Sequence, residues 1–492
     1  MDSTSHLPAL KVSASGKQLV DYRVIATLAF PLFLDSFTYI LIGLTDTWFM
    51  GRVSTDAVAA AGAISWILFL FIMLLACTGV AVQTKAAQAY GSGSFRQASE
   101  FAWMGIWFAA LTVPVYGVLA TYGNILLLPF QLDYHIEQLA LLYWFPRMLG
   151  GAIVVADWTF RGFFNAVNRT HLTIIVSSCI LILNVVFNAL FVFLMNWGIA
   201  GIAWATVVAE GLGLIIQFGL FLSPQMKRLY KTHKTWHPNA LLISQVAIMG
   251  IFSGLFMVSD IVGLAFFQMI QTELGVVSGA ATQIVVTLLS LSYQPIVGLG
   301  EAGIILVGQS IGAGEPGWAK QVGNAVIRLS VFYMVIVGLG LAVAGTWAIS
   351  LFVDINDAQA LRVLEIGPKF LWIAVTYQLF HALVIASTFC LQGAEDVRVP
   401  ALSSLILTLC GFVPLAHMLS FGTGQGFIRF LPSFGFGTFG GWWVYAGYMI
   451  VLGSILWKRW DVLSKRMSCK QLVSKEMAIN KQAITPAMTK ER

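Results

Sequence analysis

The chain has 492 residues, 58% hydrophobic and only 10% charged, and its mean hydropathy of +0.83 excludes a water-soluble globular fold. The formal net charge of +6 does not argue for nucleic acid, because in a chain this apolar Lys and Arg mark the cytoplasmic side of a bilayer. Cys77, Cys179, Cys390 and Cys410 fall in apolar runs and Cys469 in a basic tail, without metal-type spacing, so they read as small packing residues.

Taken in chain order, residues 1–23 form a polar tail without the short apolar stretch and cleavage site of a secretory signal, so the first apolar run is expected to be retained as a span. A helix crosses the hydrocarbon core with ~20 apolar residues, and its backbone then satisfies its own hydrogen bonds. Six such runs follow: Val24–Met50, Ala57–Lys85, Phe101–Ile125, Leu139–Arg161, Leu172–Met195 and Ile199–Leu222. They define a first lobe, residues 24–222. Residues 223–241 carry Lys227, Arg228, Lys231 and Lys234 and read as a cytoplasmic linker. Six further runs define a second lobe, residues 242–457: Leu242–Met269, Val277–Gly300, Ala325–Phe352, Phe370–Leu391, Ala401–Phe421 and Gly440–Trp457. A basic tail, residues 458–492, is expected to lie flexibly against anionic lipid.

Of the Lys and Arg residues, only Arg52, Arg147, Arg362, Lys369 and Arg429 fall on outer loops or outward halves of spans, which places both termini in the cytoplasm. The short tails and the absence of a targeting segment favour a plasma membrane, most simply a bacterial inner membrane. The lobes also echo each other. Gln88-Ala-Tyr-Gly91-Ser-Gly93 after span two matches Gln309-Ser-Ile-Gly312-Ala-Gly314 after span eight, and Gly162-Phe-Phe-Asn165 is a weaker counterpart of Gly393-Ala-Glu-Asp396. The expected fold is therefore an all-α membrane protein, with twelve transmembrane helices in two six-helix bundles related by a pseudo-two-fold repeat.

A charge at the bilayer centre costs at least ~2.5 kcal/mol, so polar residues inside spans are the functional candidates. Asp46 near the outer end of span one, Asn184 and Asn188 on span five, and Thr206 on span six can share one level, and their oxygens suit a hard cation such as Na+. The competing reading makes the asparagines and threonine ordinary interhelical hydrogen bonds. Asp35 lies three turns before Asp46 and either lines a cavity or is satisfied by Ser36 and Thr38. Asp260 in span seven and His381 in span ten are surrounded by apolar residues and could bind cargo or exchange a proton, although a lone histidine is more often a packing residue. Glu301 reads as a hydrated carboxylate near the inner end of span eight, and Glu210 as an intermediate case. Asp157 and Arg161, four apart, read as a structural ion pair, which leaves Arg147 as the deep basic residue. Phe and Met residues within spans are first of all packing groups, some of them able to line a cavity.

Gly43-Leu-Thr-Asp46-Thr-Trp-Phe-Met-Gly51-Arg after Pro31, Gly198-Ile-Ala-Gly201-Ile-Ala-Trp-Ala-Thr206, and Val307-Gly-Gln-Ser-Ile-Gly-Ala-Gly314 resemble the multidrug and toxic compound extrusion (MATE) family, over nearly all of Val24–Trp457. The resemblance implies the MATE fold, alternating access, and export of cationic or amphipathic compounds in exchange for Na+ or H+. It implies a cation site at Asp46 with Asn184, Asn188 and Thr206, no cofactor, small-molecule cargo, and a membrane-embedded monomer. One branch of the family carries an aspartate where Asn188 stands, so the chain is more similar to the NorM-like branch. That branch has an acid matching Asp260 and an aspartate where His381 stands, so its C-lobe site does not carry over intact. Asp35, Asp260, His381 and Glu301 stay candidates for the substrate cavity or a second coupling site. The rivals are a lipid or lipid-linked oligosaccharide flippase, which calls for a basic cavity, and a membrane-embedded enzyme, for which no catalytic pairing or His-Glu metal motif is present.

Overall fold

The computed structural model describes residues 7–13, 16–353, 359–427 and 431–488, with side chains as far as residue 469. Among them, eleven helices are long and apolar enough to cross a membrane, and a twelfth span is a helix pair bent by 43°. The spans, in chain order, are α1 Tyr22–Val53, α2 Thr55–Gly91, α3 Phe95–Thr121, α4 Tyr134–Leu149 with Gly151–Ala166, α5 Thr170–Leu194 and α6 Gly198–Phe221. The second half holds α7 Ala240–Glu273, α8 Val276–Gly312, α9 Pro316–Val343, α10 Ala360–Gly393, α11 Arg398–Ser420 and α12 Gly437–Met488.

Local chemistry sets the breaks. Asp21 caps α1 by accepting from the Arg23 amide, and Ser54 caps α2 by accepting from the Ala57 amide. The bend of α4 falls at Gly150, one turn after Pro146, whose ring removes a ladder hydrogen bond and crowds the preceding turn. The repeat extends beyond the motifs. Pro368 in α10 is the counterpart of Pro146, and α5 and α11 each contain a π-helical turn, Leu190–Leu194 and Leu407–Phe412.

On α1 the buried positions Ile25, Ala29, Leu32, Asp35, Thr38, Ile42, Asp46 and Phe49 recur every three or four residues. One stripe of the helix therefore faces the protein, and both acids stand on it. The first-half helices pack around one core near Phe49, Trp144 and Ile202 and another near Phe101, Phe163 and Phe221. The second half packs around a large core at Phe267, Phe370 and Trp442 and a small one at Ile296, Met334 and Ala382.

The halves meet where the repeated motifs lie. Gly91 packs on the carbonyl of Gln309, and Gly312 packs on the carbonyl of Gln88; a Cβ at either glycine would overlap that backbone. The Gln88 amide donates to Gly393 O (3.2 Å), while the Gln309 amide donates to Ala166 O (3.0 Å), so each glutamine holds the end of a helix in the opposite half. Thr84 Oγ1 donates to Gln392 O (3.1 Å), and Lys85 pairs with Glu395 at 2.6 Å.

Several expectations are corrected. The helices α2 and α8 run on to Gly91 and Gly312, beyond the limits set by hydropathy, because polar residues continue a helix wherever the opposite half covers them. The N-terminal region contains a hairpin, with Leu10–Val12 (β1) antiparallel to Gln18–Val20 (β2), and Trp318 donates its indole N–H to Pro8 O at 2.9 Å. In the linker, Pro224–Tyr230 is helical, and Ser99 and Trp103 of α3 donate to Tyr230 O and Thr232 O, each at 2.7 Å. The final span continues as helix into the tail rather than ending at residue 457. Arg429, Lys490 and Arg492 lie outside the described residues, as do the side chains of Lys470, Lys475 and Lys481.

Candidate functional site

Asp46 stands seven residues from the end of α1 opposite the hairpin, at 6% exposure, and three side chains from two other helices point donors at its carboxylate. Asn184 Nδ2 reaches Oδ1 at 3.0 Å, Asn188 Nδ2 reaches Oδ1 at 2.7 Å, and Thr206 Oγ1 donates to Oδ2 at 2.9 Å. Asn184 and Asn188 are one turn apart on α5 and so present both amides to the same point. Asn184 Oδ1 accepts from Asn188 Nδ2 and from Thr45 Oγ1, both at 3.1 Å. The structure thus brings together Asp46, Asn184, Asn188 and Thr206, in a buried cage rather than as isolated contacts.

One atom of this cage stands out chemically. Asn188 Oδ1 is buried and accepts no hydrogen bond, and a buried acceptor without a donor is costly unless something positive comes to it. With Asp46, Asn184 Oδ1, Thr206 Oγ1 and Thr45 Oγ1, it supplies the carboxylate, carbonyl and hydroxyl oxygens that suit a small hard cation. The same carboxylate could instead take a proton. Asp46 is the one carboxylate in this set, the other oxygens being amide and hydroxyl.

Below the cage, a ladder of polar contacts descends through the first half. Glu210, one turn after Thr206 on α6, lies 3.4 Å from Arg147 of α4. Deeper still, Asp157 accepts from Tyr39 Oη at 2.9 Å and from Gln217 Nε2 at 2.8 Å. Arg161 pairs with Asp35, and both are buried. The expected Asp157–Arg161 ion pair is therefore corrected: although the two share one face of α4, Asp157 is held by Tyr39 of α1 and Gln217 of α6, and Arg161 pairs with Asp35 of α1 instead. Arg161 is also a second deep cation beside Arg147, and it stacks on the Tyr39 ring at 4.4 Å. Asp35 takes neither of its expected surroundings. It is fully buried rather than cavity-lining, and Thr38 donates to Leu34 O rather than to the carboxylate.

The remaining candidates fall into two places. Glu301 is three turns inside the long α8 and within electrostatic reach of Arg161 and Asp35 across the junction of the halves; its helix-end placement is corrected, while it keeps partial exposure. Asp260 and His381 share a neighbour instead. Tyr293 packs edge-on to His381 at 5.4 Å and lies within electrostatic reach of Asp260, as do Tyr445 and Tyr448. Asp260 keeps accessible surface although it is deep in α7. None of Asp35, Glu301, Asp260 and His381 is among the hydrogen-bond partners of the Asp46 cage. A cleft of about 980 Å³ lies at the hairpin end between Pro8, Arg23, Tyr90, Asn168 and Gln309, and none of these acids lines it.

Sequence reasoning did not anticipate Tyr39, Thr45 or Gln217, nor the pairing of Arg147 with Glu210. The signal for part of this was present, since Thr206, Glu210 and Gln217 follow one another at four and seven residues and so lie along one face of α6.

Among the described residues, up to twelve spans in two repeated halves give the architecture of a membrane transporter. The MatE family profile matches residues 31–190 and 255–416, and the chain belongs to that family; it is a NorM-like transporter and not an enzyme. The "Probable multidrug resistance protein NorM" of Brucella suis biovar 1 is 25% identical over 472 residues, covering 91% of this chain and 94% of the relative. The protein of the same name from Pseudomonas aeruginosa is 25% identical over 484 residues, covering 95% and 94%. Among solved structures, the outward-facing conformation of a multidrug resistance MATE family transporter of the MOP superfamily superposes with a TM-score of 0.79 at 15% identity, over 90% of this chain and 96% of the other. A MOP superfamily transporter from Pyrococcus furiosus gives 0.78 at 16%, with the same coverage. At this identity the structural likeness establishes the fold.

Proposed function

We propose that this chain is a multidrug efflux antiporter, exporting organic, mostly cationic or amphipathic compounds in exchange for Na+ or H+ by alternating access. The observation that carries the reading is the cage of Asn184, Asn188 and Thr206 around Asp46, because a buried carboxylate with a free amide oxygen beside it is suited to a hard cation or a proton. The printed names of the NorM relatives support the drug cargo. In this reading residues 24–222 and 242–457 are the two lobes, joined by the linker 223–241, between cytoplasmic tails 1–23 and 458–492. The protein sits in the plasma membrane, a bacterial inner membrane, as a monomer among lipids.

Cation arrival at Asp46 and cargo in the cavity then favour different conformations, and each ligand lowers the affinity of the other through that difference. Asp260 and His381, with Tyr293, Tyr445 and Tyr448, form the second-lobe surface for cargo, where aromatic faces attract organic cations. Asp35 and Glu301 act at the junction of the lobes as parts of a second coupling site. The flippase reading is disfavoured because both deep arginines have acidic partners, Arg147 with Glu210 and Arg161 with Asp35, and offer no uncompensated positive charge to a lipid phosphate.

The test is drug susceptibility of cells producing wild type or Asp46→Asn at equal membrane abundance. Loss of resistance with an unchanged amount of folded protein is expected. Full resistance in the variant would remove Asp46 from the mechanism.

A further inference from the structure

The Arg147–Glu210 pair has no place in the proposed cation site, yet its position is not neutral. Arg147 lies where α4 bends, and Gly150 at that bend lets α4 approach α6 so closely that a Cβ there would meet Val207 at 2.7 Å. The approach brings the guanidinium against Glu210, with Nη1 at 3.4 Å from both carboxylate oxygens, and within electrostatic reach of Asp46 and Tyr143. Glu210 in turn is one turn from Thr206, which donates to Asp46, and within reach of Asp157 and Asp46. A fixed positive charge is therefore paired with one carboxylate and within electrostatic reach of a second, the centre of the cage.

We propose that Glu210 is a positioning residue: by holding Arg147, it keeps the guanidinium from neutralising Asp46, and so sets how strongly the cage attracts its coupling cation. The inference rests on the reading of Asp46 as the coupling site. The charge balance carries it. With Glu210 ionised, Asp46, Arg147 and Glu210 together bear one net negative charge, which a monovalent cation cancels. Without the Glu210 charge the group is already neutral, and a cation at Asp46 would have to displace or oppose a buried arginine in a low-dielectric site. Removing the arginine alone has the opposite sign, leaving two carboxylates for one cation.

The experiment uses the purified full-length chain, with the thermal shift produced by NaCl at fixed pH and ionic strength, or by proton titration where Na+ has no effect. Drug efflux from proteoliposomes is measured alongside. For Glu210→Gln the half-saturating cation concentration is expected to rise ~10-fold, the equivalent of about one pKa unit. The double variant Arg147→Met/Glu210→Gln, which removes both charges, is expected to return to within ~3-fold of wild type, because the competing cation is gone. Should Glu210→Gln fail to fold, Arg147→Met carries the test and is expected to tighten cation binding ~10-fold.

An unchanged half-saturation in Glu210→Gln, or in Arg147→Met where that variant carries the test, overturns the proposal. A double variant as impaired as Glu210→Gln also overturns it, since Glu210 would then act as a direct ligand or a structural element. A cation response that survives in Asp46→Asn would instead overturn the underlying assignment of Asp46, and this inference with it.

Discussion

Asp46 and Asp35 stand on the same stripe of α1 and meet opposite solutions to the same problem. A carboxylate taken out of water must be hydrogen-bonded or paired. Asp46 receives three neutral donors, whereas the charge of Asp35 is compensated by a buried arginine. Substituting Asp35 by Asn would strand Arg161, and breaking such a pair costs ~3–5 kcal/mol. A lowered unfolding temperature in detergent is expected for Asp35→Asn, with most of the loss recovered when Arg161→Gln is added; an unchanged temperature in the single variant would show that the pair contributes nothing. The cage was legible in the sequence because Asp46, Asn184, Asn188 and Thr206 can be set at one depth by counting helical rises from the span ends. The partner of Arg161 was not legible, since Asp35 is 126 positions away and the choice between it and Asp157 depends on the rotation of α4 against α1. Arg147 and Glu210, 63 positions apart, were hidden for the same reason.

At the scale of elements, the repeated Gln-x-x-Gly motifs acquire a physical meaning that their spacing alone does not give. Each glycine lies against the opposite glutamine's backbone, and each glutamine amide holds a carbonyl at the end of α4 or α10 in the other half. This reciprocal contact closes one end of the molecule, the end with the hairpin and the linker. Gly312→Ala forces a Cβ into the Gln88 carbonyl and is expected to part the halves there. The check is the distance between spin labels at residues 92 and 313 in detergent or nanodiscs: longer distances should grow in population, and a distribution identical to the unsubstituted pair would contradict the role of the contact. Helix ends were less legible than helices. Hydropathy stops span eight at Gly300, but the buried run Ala302–Ser310 continues the helix because the opposite half, not lipid, covers it. The three-residue strands of the hairpin carry too short a pattern to be read, and their placement depends on the indole of Trp318, some 300 residues on.

For the whole molecule, the twelve-span count and the division into halves were legible because each span is an almost uninterrupted apolar run, and the basic linker divides them evenly. What such a reading leaves to three dimensions is the distribution of sites. The cage around Asp46 is confined to the first half, the aromatic surroundings of Asp260 and His381 to the second, and Arg161 with Glu301 faces the junction. Sites in separate halves can communicate only through the conformations that relate the halves. Linkage then requires that the coupling cation weaken cargo binding by the same factor by which cargo weakens cation binding. Titration of a fluorescent organic cation at zero and saturating coupling ion, with the reverse titration at zero and saturating drug, should give equal factors greater than one; independence of the two affinities would exclude competition through conformation.

The most direct measurement of the central claim is efflux of a fluorescent organic cation from proteoliposomes under an imposed Na+ gradient and then an imposed proton gradient, with wild type and Asp46→Asn side by side. Gradient-driven efflux in the wild type under one of the two ions, absent in Asp46→Asn, is the expected result. Equal efflux in both proteins, or none in wild type under either gradient, would contradict it.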